Sequence, residues 1–159
     1  MVLRDSILAD VPTVVRLVRA AFEQYRGRLD PPSGAHHETE EQLHTKMSRG
    51  GALLASLAGE DIGCVVYERE GDHLYASRLA VSPSYRRQGI GRKLMDGVEE
   101  KARMLNLKKV RLGVRLALPN LLAYYERRGY RVVEHRRHEG YAQPTYVMLE
   151  KLLDAEAME

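Results

Sequence analysis

The segment Arg86-Arg87-Gln88-Gly89-Ile90-Gly91-Arg92 gathers three guanidinium groups and two glycines into seven residues. It follows an apolar run of strand length, Leu74 to Val81, closed by Pro83, and it precedes residues at helical spacing. A helix beginning here exposes first-turn N–H groups that have no acceptor of their own, and an anion can satisfy them. Aligned peptide dipoles add about half a positive charge at that end. Glycines at such a turn let a diphosphate reach the backbone. Taken without its neighbours, the segment reads equally well as a tight turn with solvated arginines; its place at a strand-to-helix junction favours the diphosphate. It matches neither GxGxxG nor GxxxxGK[ST], and no lysine stands ready for a γ-phosphate, which argues against nucleotide hydrolysis.

Other reactive side chains are few. Cys64 is the only cysteine, so an intrachain disulfide is impossible, and its setting in the apolar GCVVY reads as a buried strand residue rather than a nucleophile. Adjacent His36 and His37 point apart in an extended chain, and neither they nor His138 has a cysteine or spaced carboxylate to complete a metal set; exposed loop histidines are expected. Tyr125 shares a helix face with Leu122, the spacing of a packing contact.

The elements that position these groups follow from periodicity. A short strand is expected at Val2 to Ile7. Then Val11, Val14, Val15, Val18, Phe22 and Tyr25 recur at helical spacing behind Pro12, with Asp10 as the expected cap. RGRLDPPSGAHH breaks all periodicity, and Thr39 with Gln42 has capping-box spacing for a second helix. Ala52 to Leu57 and Ile62 to Tyr67, separated by Gly59, Glu60 and Asp61, read as an antiparallel hairpin that Gly71-Asp72 turns into the strand Leu74 to Val81. After the basic turn, Ile90, Leu94, Val98, Ala102 and Leu105 form one apolar helical stripe, with Glu99, Glu100, Lys101 and Arg103 facing water and Asn106 as the stop. Val110, Leu112 and Val114 alternate with Arg111, Gly113 and Arg115 as in a strand. Pro119-Asn120 open a short helix ending at Gly129, and strands from Tyr130 and over Tyr146 to Leu152 close the chain. Strands interleaved with helices predict an α/β or α+β sheet protein.

On these segments rests a family resemblance. LAVSPSYRRQGIGRKLM resembles the acetyl-CoA signature of the GNAT superfamily of N-acyltransferases, written R/Q-x-x-G-x-G/A and filled by Arg86, Gly89 and Gly91. AYYERRGY resembles its second signature, and PTYVMLEKL resembles its terminal strand. The likeness covers nearly the whole chain. It implies a mixed, mostly antiparallel central sheet of six or seven strands flanked by about four helices, in the order strand, two helices, three strands, helix, strand, helix, two strands. It further implies that Leu79, Ala80 and Val81 meet the pantetheine arm through backbone groups, and that Gln88 to Arg92 hold the pyrophosphate by their amides, with Arg86 and Arg87 beside them. Tyr125 would stand near the sulfur as general acid. The superfamily's asparagine is matched by Asn120 as a cofactor contact; it lies five residues before Tyr125 and four before Tyr124, so Tyr124 stays open for the tyrosine's role. Many relatives carry a glutamate base on the central strand, but Leu74 to Arg78 offers none, leaving Glu23, His73, Tyr75 or water.

The resulting expectation is an N-acetyltransferase that passes the acetyl group of acetyl-CoA directly to a primary amine in a ternary complex, without metal. PPSGAHHET and HEGYAQPTY would line the acceptor pocket. The missing strand glutamate keeps open a different class, a non-catalytic acyl-CoA sensor or interaction module. The length of 159 residues and 44% hydrophobic content suit one domain over 1–159. Residues 1–75 carry 8 basic and 12 acidic groups, whereas residues 76–159 carry 17 and 10, so the second half should attract a polyanion. Acidic residues interleave with the arginine pairs and no reading motif appears, which argues against nucleic acid. No window approaches the apolar length of a membrane span, and MVLRDSILAD lacks the order of a secretion signal; a cytoplasmic protein is expected. The apolar run Val147 to Leu153 is a candidate strand or patch for a homodimer.

Overall fold

A computed structural model describes residues 1–153. Strands β1 (Val2–Asp5), β2 (Gly50–Leu57), β3 (Glu60–Glu70), β4 (His73–Val81), β5 (Lys109–Arg115), β6 (Arg131–Arg136) and β7 (Tyr146–Leu152) form one sheet in the order β1-β2-β3-β4-β5-β7-β6. Helices α1 (Val11–Phe22) and α2 (Glu40–Met47) lie in the chain before β2; α3 (Ile90–Met104) joins β4 to β5, and α4 (Pro119–Arg127) joins β5 to β6. Every neighbouring pair is antiparallel except β4 and β5. The expected mixed α/β architecture, with seven strands and four helices, is therefore observed.

Two cores cover the two faces. On one, the α3 stripe of Ile90, Leu94, Val98 and Ala102 meets Val65, Leu74, Ala76, Val110, Leu112 and Val114. Side chains such as Leu94, fully buried, each contribute about 1.5–3 kcal/mol by leaving water. On the other face, Val11, Val14, Val15 and Val18 of α1 and Leu43 of α2 pack on Leu54, Cys64, Val66 and Ala80. Cys64 is wholly buried, which pushes its thiol up to about 12 and rules it out as a thiolate nucleophile.

The structure departs from the sequence-based expectations in several places. The first strand stops at Asp5, because the chain turns at Leu8–Asp10. Asp10 precedes α1 but does not cap it; its carboxylate accepts from Arg4 and from the Ile7 amide. Thr39 and Gln42 do form a reciprocal capping box at the start of α2. Glu99, expected in water, is 4% exposed because Arg128, Tyr130 and Lys151 converge on it from α4 and the sheet beyond. The segment Val147 to Leu153 offers no free strand edge: β7 is inserted between β5 and β6, and both of its ladders are filled.

Candidate active site

The β4–β5 pair is parallel and short. Only His73, Leu74 and Tyr75 pair with Lys109, Val110 and Arg111. Beyond that register the two strands part, and their separation opens a cavity of about 570 Å³ walled by both strands, by α4 and by the end of α1. Two features of β4 bring about the separation. Between Ser77, paired with Val66, and Ala80, paired with Cys64, the residues Arg78 and Leu79 together oppose Val65, which is a β-bulge. Arg78 sits at φ 54°, the left-handed region that a non-glycine residue occupies only under compulsion. Its side chain meets Glu38, 1% exposed, whose carboxylate accepts from Arg78 Nε at 2.7 Å and Lys46 Nζ at 2.9 Å. Burial alone would raise the Glu38 carboxyl, but the two cations outweigh it and hold the group below the ordinary range. Arg78 and Leu79 thus have no one-to-one partner in β3, and both line the cavity.

The basic turn lies beside this opening, behind its lining residues Leu79, Val81 and Arg86. Gly89 takes φ 78° at the N-cap of α3, and no side chain caps the helix there. The first intrahelical bond of the new helix is Lys93 N–H to the Gly89 carbonyl, so the N–H groups of Ile90, Gly91 and Arg92 have no helical acceptor. Arg87 also has positive φ, at 64°. Arg87, Gln88 and Arg92 are exposed around the turn, whereas Ile90 is buried and anchors it. Arg86 is turned differently: it reaches into the cavity wall and donates to the Ala21 carbonyl at the end of α1 at 2.9 Å. A Cβ at Gly91 would touch Leu79 and Val81 at 3.8 and 3.9 Å, which shows how closely the turn abuts the cavity-lining side chains of β4. Ala80 differs from its neighbours, since its side chain is buried under α1 and only its backbone faces the bulge.

Of the two adjacent tyrosines, Tyr125 lines the cavity and Tyr124 does not. Tyr125 is 6% exposed, stacked edge-on against Tyr124 and Tyr130. Burial pushes its hydroxyl well above the ordinary phenol value, with a small push from Tyr124, so it stays protonated at every physiological pH. Asn120 lies exposed in the first turn of α4, outside the cavity lining.

The groups named as bases from sequence are scattered. Glu23 is exposed and paired to Arg26 at the surface. His73 stands at the opposite end of β4 among Glu70 and Asp72. Tyr75 does line the cavity. His138, read from sequence as an exposed loop residue, is half-buried and also lines it; His36 is buried, and only His37 is exposed. The His138 amide donates to Thr145 Oγ1 at 2.9 Å, and its Nδ1 contacts the same oxygen, while its ring packs against Tyr146 and Tyr141. Burial, then the nearby Arg115 cation, holds the His138 imidazole below its ordinary value. Nothing local in HEGYAQPTY marks His138 for this place; the β6–β7 pairing that folds the loop back is what carries it there.

Residues 15–130 match the acetyltransferase (GNAT) family. The chain belongs to that family. Over 129 residues it is 29% identical to an IAA acetyltransferase of Azospirillum brasilense, covering 80% of this chain and 81% of that one. The ribosomal-protein-S18-alanine N-acetyltransferase of Escherichia coli superposes with a TM-score of 0.79 at 17% identity, over 96% of this chain and 94% of that one. The paia N-acetyltransferase of Thermoplasma acidophilum, solved in complex with coenzyme A, does so with a TM-score of 0.77 at 19% identity, over 95% and 98%. At such identities the likeness to these two structures is one of fold. For a GNAT chain, the sheet opened between β4 and β5 and the uncapped start of α3 are the two parts that a thioester carrying a diphosphate would need side by side. Among the described residues no helix is long and apolar enough to cross a membrane.

Proposed function

We propose that this chain is a single N-acetyltransferase unit that transfers the acetyl group of acetyl-CoA directly to a primary amine. The observation that carries this reading is the adjacency of three features: unpartnered amides at the start of α3, a cavity wall formed by the β4 bulge, and the protonated Tyr125 lining the same cavity from α4. When bound, acetyl-CoA supplies an activated acetyl thioester. The amides of Gln88 to Arg92 satisfy the pyrophosphate oxygens, and the exposed Arg87 and Arg92 add charge. Arg86 holds the turn against α1 and lends its field from there. Leu79, Ala80 and Val81 receive the pantetheine arm along their backbone.

His138, in the tautomer that places its proton on Nδ1 against Thr145, has Nε2 free to take the proton that the amine loses as its nitrogen bonds the acetyl carbon. A main-chain N–H of the bulged Leu79–Val81 stretch steadies the oxyanion, a service worth about 2.7–4 kcal/mol where the donor is well aimed. Tyr125 gives its proton, or a strengthening hydrogen bond, to the sulfur as the carbon–sulfur bond breaks. The first test is thiol release from acetyl-CoA by the purified protein across an amine panel, beside calorimetry of CoA binding. Amine-dependent release with saturable CoA binding is expected; tight binding with no release for any amine would leave a sensor instead.

The His138 assignment has its own signature. A base works deprotonated, so kcat is full above the imidazole pKa of the folded protein and falls as pH drops through it. Because that value is lowered, the fall should have its midpoint below about 6.5, the ordinary imidazole value. His138→Gln should erase this acid limb and cut kcat about 10²-fold, the low end for a positioned acid or base, since water in the cavity takes over part of the task. A mutant profile that keeps the wild-type limb would remove His138 from the mechanism.

A further inference from the structure

Among the described residues that line the cavity there is no aspartate or glutamate, yet three arginines reach it: Arg78, Arg86 and Arg115. They are not equivalent. Arg78 is neutralised by Glu38 at 2.7 Å. Arg86 lies on the side of the basic turn, tied to the Ala21 carbonyl. Arg115, the last residue of β5, donates to two neutral carbonyls, Pro31 at 2.7 Å and Pro32 at 3.3 Å, and among the described residues no carboxylate comes within ion-pair distance of it. The nearest candidate, Asp30, is engaged by the Tyr141 hydroxyl. Two of the five guanidinium N–H groups are thus used and three are left.

The position of Arg115 decides what those N–H groups serve. Along β5, Val110, Leu112 and Val114 belong to the core under α3 and α4, so Arg115 and Gly113 project from the opposite face. On that face a Cβ at Gly113 would meet Tyr75 Oη and Tyr146, and the strand is bare at its centre. The turn at α3 and Tyr125 belong to one face of the sheet, whereas Arg115, Tyr75, Tyr146 and His138 ring the mouth on the other. A half-buried guanidinium with only neutral partners pays for its lost hydration without an opposite charge. A planar carboxylate fits its fork, two parallel N–H···O bonds at once. A second ammonium group, as in a diamine or a lysine-rich peptide, would meet that cation and find no acid in the lining to receive it.

We infer that the acceptor is a small primary amine bearing a carboxylate, an amino acid or close derivative, and that Arg115 is the specificity-determining residue that binds the carboxylate while His138 faces the amine. This rests on the acetyl-transfer reading above. Removing a charged hydrogen-bonding partner of this kind weakens binding on the order of 10- to 100-fold.

The test uses thiol release from acetyl-CoA with glycine, leucine and phenylalanine, each beside its amide and its decarboxylated amine. The amides carry the more acidic ammonium and so start with the advantage; wild-type preference for the acid in kcat/KM, by 10-fold or more for at least one side chain, is expected. In Arg115→Gln that preference should collapse toward one through a raised KM, with the KM for acetyl-CoA unchanged. A loss shared equally by acid and amide would mean that Arg115 only anchors the Pro31–Pro32 loop, and would overturn the inference; so would better turnover of diamines or lysine peptides than of any amino acid. Should no amine release thiol, calorimetry of the CoA-loaded protein with N-acetylglycine, N-acetylleucine and N-acetylphenylalanine against their amides separates the two ideas. Acid-selective binding abolished by Arg115→Gln sustains the carboxylate site without catalysis, and equal or absent binding of every pair refutes it.

Discussion

Replacing Tyr125 by phenylalanine should lower kcat about 10²- to 10⁴-fold, the range for loss of a positioned proton donor, while leaving the calorimetric affinity for acetyl-CoA within a factor of two or so of wild type. The two halves of this expectation come from different parts of the side chain. The ring is what packs: Tyr125 stands edge-on to Tyr124 and Tyr130 and is 6% exposed, and phenylalanine fills the same volume. In the proposed mechanism the hydroxyl is what works: Tyr125 lines the cavity, and burial keeps its hydroxyl protonated. That burial also limits it. A phenol pushed upward yields its proton less readily than the free thiol it would form, so much of its effect is a hydrogen bond that shortens as charge builds on sulfur. Tyr124→Phe serves as the control. Its ring is outside the cavity lining, and its turnover should stay near wild type. Normal turnover in Tyr125→Phe with intact cofactor affinity would eliminate the acid role.

Much of this arrangement was legible before any coordinates. The basic turn could be read because its chemistry is local: unpartnered amides, positive φ at Gly89 and flanking guanidinium groups all follow from seven consecutive residues. The α3 stripe and the β5 alternation could be read because burial repeats with the period of the backbone. Residues whose role depends on what another segment delivers could not. Glu38 looks like any acidic residue before a helix until the bulge at Arg78, 40 residues on, turns its guanidinium toward it. Arg115 alternates with buried valines and reads as solvent-facing, because nothing nearby in the sequence says that β4 diverges from β5 at that height. His138 reads as a loop histidine for the same reason; its neighbours in space, Arg115 and Tyr146, arrive through the β5–β7 register.

Glu99 gives the second large expectation, and it concerns stability rather than rate. Glu99→Ala should destabilise the fold by about 3–5 kcal/mol, the cost of breaking a buried ion pair by removing one partner. The periodicity of α3 puts Glu99 one position past the core residue Val98, yet its carboxylate is enclosed. Oε2 accepts from Arg128 at 2.8 Å and from the Tyr130 hydroxyl at 2.9 Å, and Oε1 accepts from Lys151 at 2.9 Å. Alanine would leave the buried Tyr130 hydroxyl and Lys151 without this acceptor, and Arg128, whose side chain is 12% exposed, with Asp96 as its one remaining carboxylate partner on α3. Glu99→Gln keeps the volume and part of the bonding, and its loss should be smaller, since one amide oxygen still accepts. The same cluster bears on the proposed role of Tyr125. Arg128 is the C-cap of α4 and Tyr130 stacks on Tyr125; Glu99 ties both to α3, and Asp96 adds a second bond to Arg128 alone. The urea midpoint should therefore drop in Glu99→Ala, and kcat measured well below that midpoint should drop with it as Tyr125 loses its fixed aim. A midpoint within the error of wild type would show that the cluster is a solvated surface pair in all but appearance.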